Sequence, residues 1–315
     1  MTVVSEKTKL ESTPDSIGTP SPVGSPRLSV RVVLEAMRPR QWIKNLLLFA
    51  GGLFTGKVFH LGPLLIMAAG FACFCALSST IYLLNDIADR EQDRLHPRKR
   101  LRPIASGQLS IGAAQAIAMT IGAAGIGFSF LLGRAFGAVA LGYLLLNLVY
   151  VRWLKHEVIL DVFCIASGFL MRALAGAVVV DVLISQWLLV CTSLLALVIG
   201  FGKRRQELTT LAAASSHRQV LSSYSGVFLD QLMSVVVSAT LVSYLFYCFQ
   251  SDTAVAHHWI PATIPFVFYG MFRYLYLLHQ RGMGGAPEDL LFKDRPILLA
   301  VVGWCLAAAI AMALH

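Results

Sequence analysis

The side chains best suited to chemistry fall in one stretch, residues 85–100. It opens Asn85-Asp86-Ile87-Ala88-Asp89, passes Asp93, and ends in Arg98-Lys99-Arg100. Asp86, Asp89 and Asp93 recur at i, i+3 and i+7, and Asn85 joins Asp89 at i+4. On a helix that spacing stacks the carboxylates on one face. Stacked carboxylates repel, and a divalent cation offsets the repulsion. An all-oxygen donor set points to Mg2+ shared with a phosphate. The stretch follows the nearly uncharged run from Leu61 to Leu84. The acids therefore stand at the end of a membrane-crossing segment, where charge is rare and usually functional.

Three further constellations carry charge. Pro97 ends the acidic helix, and Lys99 and Arg102 beyond it can fold back to bind phosphate oxygens. The plain alternative is a solvated loop whose acids neutralise its bases. Tyr150, Lys155, Asp161 and Arg172 lie around and within the next-but-one apolar runs. Lys155 suits a phosphate or simple snorkelling. Arg172 is eleven residues beyond Asp161, about 16 Å at the helical rise, so it needs a buried partner or a substrate phosphate. The stretch Gly200-Phe201-Gly202-Lys203-Arg204-Arg205-Gln206-Glu207-Leu208 reads as a helix end where backbone can approach an anion, or as a cytoplasmic anchor. Arg273, Glu288, Asp289 and Asp294 read as ion pairs and caps more readily than as a second metal site. No zinc spacing, nucleophile elbow or Walker A loop is present in the sequence.

The elements that position these groups must be membrane helices. The chain has 315 residues, 57% hydrophobic and 14% charged, with mean hydropathy +0.69. That composition predicts an all-α, polytopic membrane protein. Its net charge of +9 has no soluble basic domain to carry it, which excludes a nucleic-acid partner. The six cysteines sit inside apolar runs as small core residues. Residues 1–27, rich in Ser, Thr, Pro and Gly, read as a disordered tail, and 28–315 as the transmembrane domain. Nine spans are expected: 42–59, 62–86, 111–132, 136–153, 158–180, 184–202, 227–250, 259–279 and 296–314. Lys and Arg crowd the loops after the second, fourth, sixth and eighth spans. By the positive-inside rule the N-terminus and every charged motif face the cytoplasm, and the C-terminus lies outside the cell membrane.

The pattern Asn-Asp-x-x-Asp-x-x-x-Asp at residues 85–93, ending the second of nine spans, resembles the UbiA superfamily of intramembrane prenyltransferases. The resemblance covers nearly the whole chain after the tail. It implies a UbiA-like helical bundle with a cytoplasmic-side active site, and Mg2+ held by Asp86, Asp89 and Asp93 on a diphosphate. That family carries a second acidic motif after the sixth span, where this chain has the basic Gly202–Leu208. This departure, with residues 96–107 and 285–295, is similar to the decaprenyl-phosphate phosphoribosyltransferase branch. The branch implies transfer of 5-phosphoribose from phosphoribosyl pyrophosphate (PRPP) to a polyprenyl phosphate, feeding arabinose-donor synthesis for cell-wall glycans. Under that resemblance Lys99, Arg102, Lys203 and Arg204 contact phosphates. Arg38, Arg40 and Lys44, with Asn45, attend the lipid phosphate beside Trp42. Asn85, Tyr150, Lys155, Asp161 and Arg172 complete the substrate set. Membrane lipids surround the chain, and whether it acts alone or as a homo-oligomer stays open. The alternative within the superfamily moves a prenyl group from a diphosphate to a small acceptor. A transporter would want an internal repeat, and the sequence has none.

Overall fold

The computed structural model describes residues 29–183, 185–211, 223–283, 290 and 293–314. The expected disordered tail, 1–27, and the acids Glu288 and Asp289 lie outside the described residues. All described regular structure is helical. The α-helices, in chain order, are α1 (Val30–Met37), α2 (Ala50–Phe54), α3 (Leu61–Ala88), α4 (Arg90–Leu95), α5 (Ile111–Leu132), α6 (Arg134–Arg152), α7 (Leu160–Val179), α8 (Gln186–Leu211), α9 (Gly226–Gln250), α10 (Asp252–Ala256), α11 (Ile264–Arg281) and α12 (Arg295–Ala313).

Seven of them are long and apolar enough to cross a membrane: α3, α5, α6, α7, α8, α9 and α12. The reason is elementary. In hydrocarbon each backbone N–H and C=O must find its partner within the segment, and a helix does this. Their outward faces carry side chains that water would not tolerate, such as Met119 at 71% exposure and Leu131 at 81%. The eighth expected span forms α11, which is helical but more polar, with Arg273, His279 and Arg281 on it.

The first expected span departs from an α-helix. Pro39–Phe49 is an eleven-residue 3₁₀ helix, followed by the short α2 and a second 3₁₀ turn, Lys57–Phe59. At about 2.0 Å per residue the 3₁₀ stretch covers about 22 Å, where an α-helix would cover about 16 Å. The same number of residues thus covers a longer distance. Its side chains eclipse every third residue, so Trp42, Asn45 and Leu48 stand in one row. The row lies against α3: Trp42 Nε1 donates to Ser79 Oγ at 3.1 Å, and Asn45 Nδ2 to Ser78 Oγ at 3.3 Å. Leu48 packs with Met67 and Phe74 in a core shared by α3, α6 and α7. On the other side, α7 comes in at Gly176. A Cβ there would overlap the Leu48 carbonyl and lie 2.8 Å from its Cα, so only glycine admits the 3₁₀ backbone.

A second core joins α7, α8, α9 and α11 around Val162, Phe201, Leu229 and Tyr274. The helix starts are capped as the residue types suggest. Ser110, Ser225 and Asp294 accept from backbone N–H groups at 3.3, 3.1 and 3.0 Å. Asp294 also receives Arg273 of α11 at 2.8 and 3.2 Å. The Arg273 guanidinium, aided by the Ile297 N–H, holds the Asp294 carboxyl below its usual range. A carboxylate so depressed stabilises the fold fully above the ordinary carboxylate range, and this contribution disappears as pH falls through its own lower value. Asp294→Ala is expected to lose about 1 kcal/mol from the cap at neutral pH. Its melting temperature in detergent should also fall less steeply than the wild type's as pH drops below about 4. Parallel melting curves across that range would remove Asp294 from this role.

Candidate active site

The acidic cluster forms at the junction of α3 and α4. α3 carries Asn85 and Asp86 to its last turn, the helix breaks at Asp89, and α4 supplies Asp93. The break changes the expected picture of three carboxylates on one face. Asp86 and Asp93 turn inward, each 2% exposed, while half-buried Asp89 points to another partner. Each carboxylate meets a cation from a different segment. Arg38, at the joint between α1 and the 3₁₀ helix, pairs with Asp86 and stacks over Tyr82 at 5.1 Å. Arg102 Nη1 bridges Asp86 at 3.1 Å and Asp93 at 2.5 Å. Lys155, on the 3₁₀ turn Leu154–His156 after α6, pairs with Asp89. Lys99 Nζ stands 4.0 Å from Asp93. Arg38 itself has φ 55°, a left-handed conformation that a non-glycine residue adopts only when its surroundings hold it there.

The donor set suits Mg2+. Among the described residues no three His, Cys, Asp or Glu side chains form a metal cage. Mg2+, however, commonly takes only one or two protein carboxylates and completes its shell with phosphate oxygens and water. Asp86 and Asp93 meet on a single guanidinium nitrogen. A positive centre already joins them, as a divalent ion would.

Beside Lys99, His96 accepts the Arg98 and Lys99 amides on Nδ1 at 3.2 and 3.3 Å. Partial burial and the nearby Lys99 ammonium hold its imidazole below the usual histidine range. It serves as a neutral brace for the turn leading to Arg102.

The helix end expected at Gly200–Leu208, with backbone open to an anion, is a correction. Gly200–Leu208 continues α8 as helix. Gly202 gives close packing to Tyr274, whose hydroxyl a Cβ there would strike, rather than backbone access to a ligand. Arg204, 1% exposed, has its Nε 2.5 Å from Asp161 and its Nη1 2.5 Å from Glu207. Tyr224 donates to Asp161 at 2.9 Å and accepts from the Ile159 N–H at 2.6 Å. Burial pushes the Tyr224 phenol up to about 12, so it stays protonated and can donate. Ile159 has φ 68°, a strained value for a β-branched residue, and this hydrogen bond helps hold it. Arg205 pairs with Asp230 at 2.8 Å, and His279 meets the same carboxylate at 3.2 Å.

Arg172 is likewise engaged within the protein. Its Nε donates to Asn45 Oδ1 at 2.7 Å, its Nη1 to the Gly168 carbonyl at 2.8 Å, and its Nη2 to Tyr143 Oη at 2.7 Å. The four expected substrate contacts Asn45, Asp161, Arg172 and Arg204 are therefore paired with one another across helices. Burial explains this, since polar groups held in an apolar interior must be hydrogen-bonded. Of the other expected contacts, Arg40 is exposed, and Lys44, Asn85, Tyr150 and Lys203 are half-buried. Tyr82, Tyr143 and Gly176 were not anticipated. A signal existed for Tyr143, a hydroxyl in the span adjacent to a mid-membrane arginine.

Comparison with known proteins agrees with this architecture. The chain is 34% identical over 295 residues to a decaprenyl-phosphate phosphoribosyltransferase of Mycolicibacterium smegmatis, covering 89% of this chain and 92% of that one. It is 33% identical over 288 residues to the protein of that name in Corynebacterium glutamicum, covering 88% and 86%. Among solved structures, a UbiA homologue from Archaeoglobus fulgidus bound to GPP and Mg2+ superposes with a TM-score of 0.69 at 17% identity, over 90% of this chain and all of that one. Residues 46–282 match the UbiA prenyltransferase family, and with most of its length covered the chain belongs to that family.

Proposed function

We propose that the protein transfers 5-phosphoribose from PRPP to a polyprenyl phosphate at the cytoplasmic face of the cell membrane and releases pyrophosphate. The observation that carries this reading is the charge layout. Among the described residues the acidic cluster stands at the α3–α4 junction, while Asp161 in the first turn of α7 and Glu207 on α8 are both engaged by Arg204. A donor carrying a diphosphate at one end and a second phosphate at the other fits a site with one metal-binding end and surplus cations. The relatives named as decaprenyl-phosphate phosphoribosyltransferases support the same donor and acceptor. A nine-span topology, with the C-terminus outside and the product destined for cell-wall arabinose donors, completes the reading.

Asp86, Asp89 and Asp93, with Asn85 beside them, would hold Mg2+, which when bound neutralises charge on the departing pyrophosphate. As those carboxylates turn to ligation, Arg38, Lys99, Arg102 and Lys155 become available to phosphate oxygens. Arg40 and Lys44, on the 3₁₀ helix, attend the lipid phosphate, and Tyr150 and Lys203 flank the donor. The acceptor phosphate is already anionic near neutral pH, so no strong general base is required. One of its oxygens forms the bond to C1 of the ribose as the bond from C1 to the pyrophosphate oxygen breaks. Attack from the opposite face inverts that carbon. The residues contribute positioning and electrostatic stabilisation.

Purified protein offered labelled PRPP or labelled prenyl diphosphate, with polyprenyl phosphate and with an aromatic acceptor, separates the two superfamily chemistries. Label should enter the lipid from PRPP alone. Incorporation only from the prenyl diphosphate would overturn the reading in favour of prenyl transfer.

A further inference from the structure

The polar contacts between the 3₁₀ helix and α3 are not scattered. On α3 they involve Cys75, Ser78, Ser79, Tyr82 and Asp86, a single stripe at helical spacing. Opposite them stand Asn45, Trp42 and Arg38 in antiparallel order. The two scales agree. Arg38 to Asn45 spans about 14 Å at the 3₁₀ rise, and Ser78 to Asp86 spans about 12 Å at the α rise. The stripe begins deep in the bilayer and ends on the acidic cluster.

The deep end is where the register is locked. Asn45 is fully buried, and its amide is used on both sides: Nδ2 reaches Ser78 and Cys75 of α3 at 3.3 Å, and Oδ1 receives Arg172 of α7 at 2.7 Å. Arg172 is fixed in turn by Tyr143 of α6 and its own helix. A slide of the 3₁₀ helix by one residue would carry Asn45 away from all three partners and leave the guanidinium Nε without its acceptor in an apolar interior. The same slide would draw Arg38 off Asp86.

We infer that Asn45 and Arg172 are positioning residues: they touch no substrate, and from within the membrane they set the register that holds Arg38 at the metal and diphosphate site. The inference rests on the reading of that site given above. Its test uses the full-length protein in detergent, titrated calorimetrically with Mg2+ and pyrophosphate together, on material that elutes as a single folded species. Asn45→Ala should raise the Kd for Mg2+·pyrophosphate by about tenfold to a hundredfold, the usual consequence of losing a residue that orients a ligand-binding group. Combined with Arg38→Ala, it should raise Kd no further than Arg38→Ala alone, because the effect passes through Arg38. Asn45→Asp, which keeps an oxygen toward Arg172, should bind within about threefold of wild type. Should Asn45→Ala not fold, Arg172→Lys serves instead. It keeps the buried charge, loses the fork to Asn45 and Tyr143, and should shift Kd in the same direction.

A merely structural role would lower the melting temperature and leave the Kd of the folded fraction unmoved. An unchanged Kd in both variants, or strictly additive effects with Arg38→Ala, overturns the inference while the functional reading stands. Failure of the wild type to bind Mg2+·pyrophosphate brings down the functional reading, and the inference with it.

Discussion

Replacing Asp86 and Asp89 together by Asn is expected to abolish Mg2+-dependent turnover, by at least about a thousandfold, without unfolding the protein. Asparagine keeps the shape of each side chain and removes the charge that a divalent cation requires. The fold should survive because Arg102 keeps its 2.5 Å contact with Asp93, and because each asparagine still offers a side-chain oxygen to Arg38 or Lys155. Initial rates across a Mg2+ titration, beside circular dichroism and gel filtration of the same preparation, give the answer. A folded double variant with wild-type rates would remove both residues from the metal assignment.

Gly176→Ala should produce the largest loss of stability. The added methyl would meet the carbonyl oxygen of Leu48 and, at 2.8 Å, its Cα. These are backbone atoms of a segment held by Asn45 and Trp42, so no rotamer change relieves the clash. The loss should reach or exceed about 3 kcal/mol, the upper end of ordinary overpacking. It would be read as a large fall in melting temperature or in the yield of folded protein. Gly62→Ala is the control. Nothing lies within 4 Å of a Cβ built there, so it should melt at or slightly above wild type. Equal melting of Gly176→Ala and wild type would show that the 3₁₀ helix does not pack so closely.

Much of this architecture is legible in the amino-acid order, for a physical reason. A bilayer permits few backbone solutions, so an apolar run of span length becomes a helix. The run 111–132 coincides with α5, and the others shift by a few residues except the first, 42–59, which is not one α-helix, and the sixth, where α8 continues to Leu211. The 3₁₀ helix was not legible. Over eleven residues a period of three and a period of 3.6 leave similar patterns, and what selects the tighter winding is close approach to Gly176 of a distant helix. The acidic cluster announced itself through spacing and context. Of its pairing only the fold-back of Arg102 was expected, because Arg38 and Lys155 come from segments separated from it by whole spans. Asp161 and Arg172 stood out as polar groups within an apolar run, whereas Asn45 and Arg204 read as interface and helix-end residues and are buried instead. Periodicity cannot tell a side chain that awaits a substrate from one already matched across a helix interface.

The ion pairs of the acidic cluster also bear on how the protein is made. Carboxylates at the end of a membrane helix would ordinarily burden insertion and hold the nascent bundle open to water. Here Arg38 is translated before them, and Arg102 and Lys155 after them. Each arrives on a separate segment as the bundle closes. The chain therefore carries its own counter-ions, and the acids of the cluster are balanced by its own Arg and Lys side chains within the folded bundle.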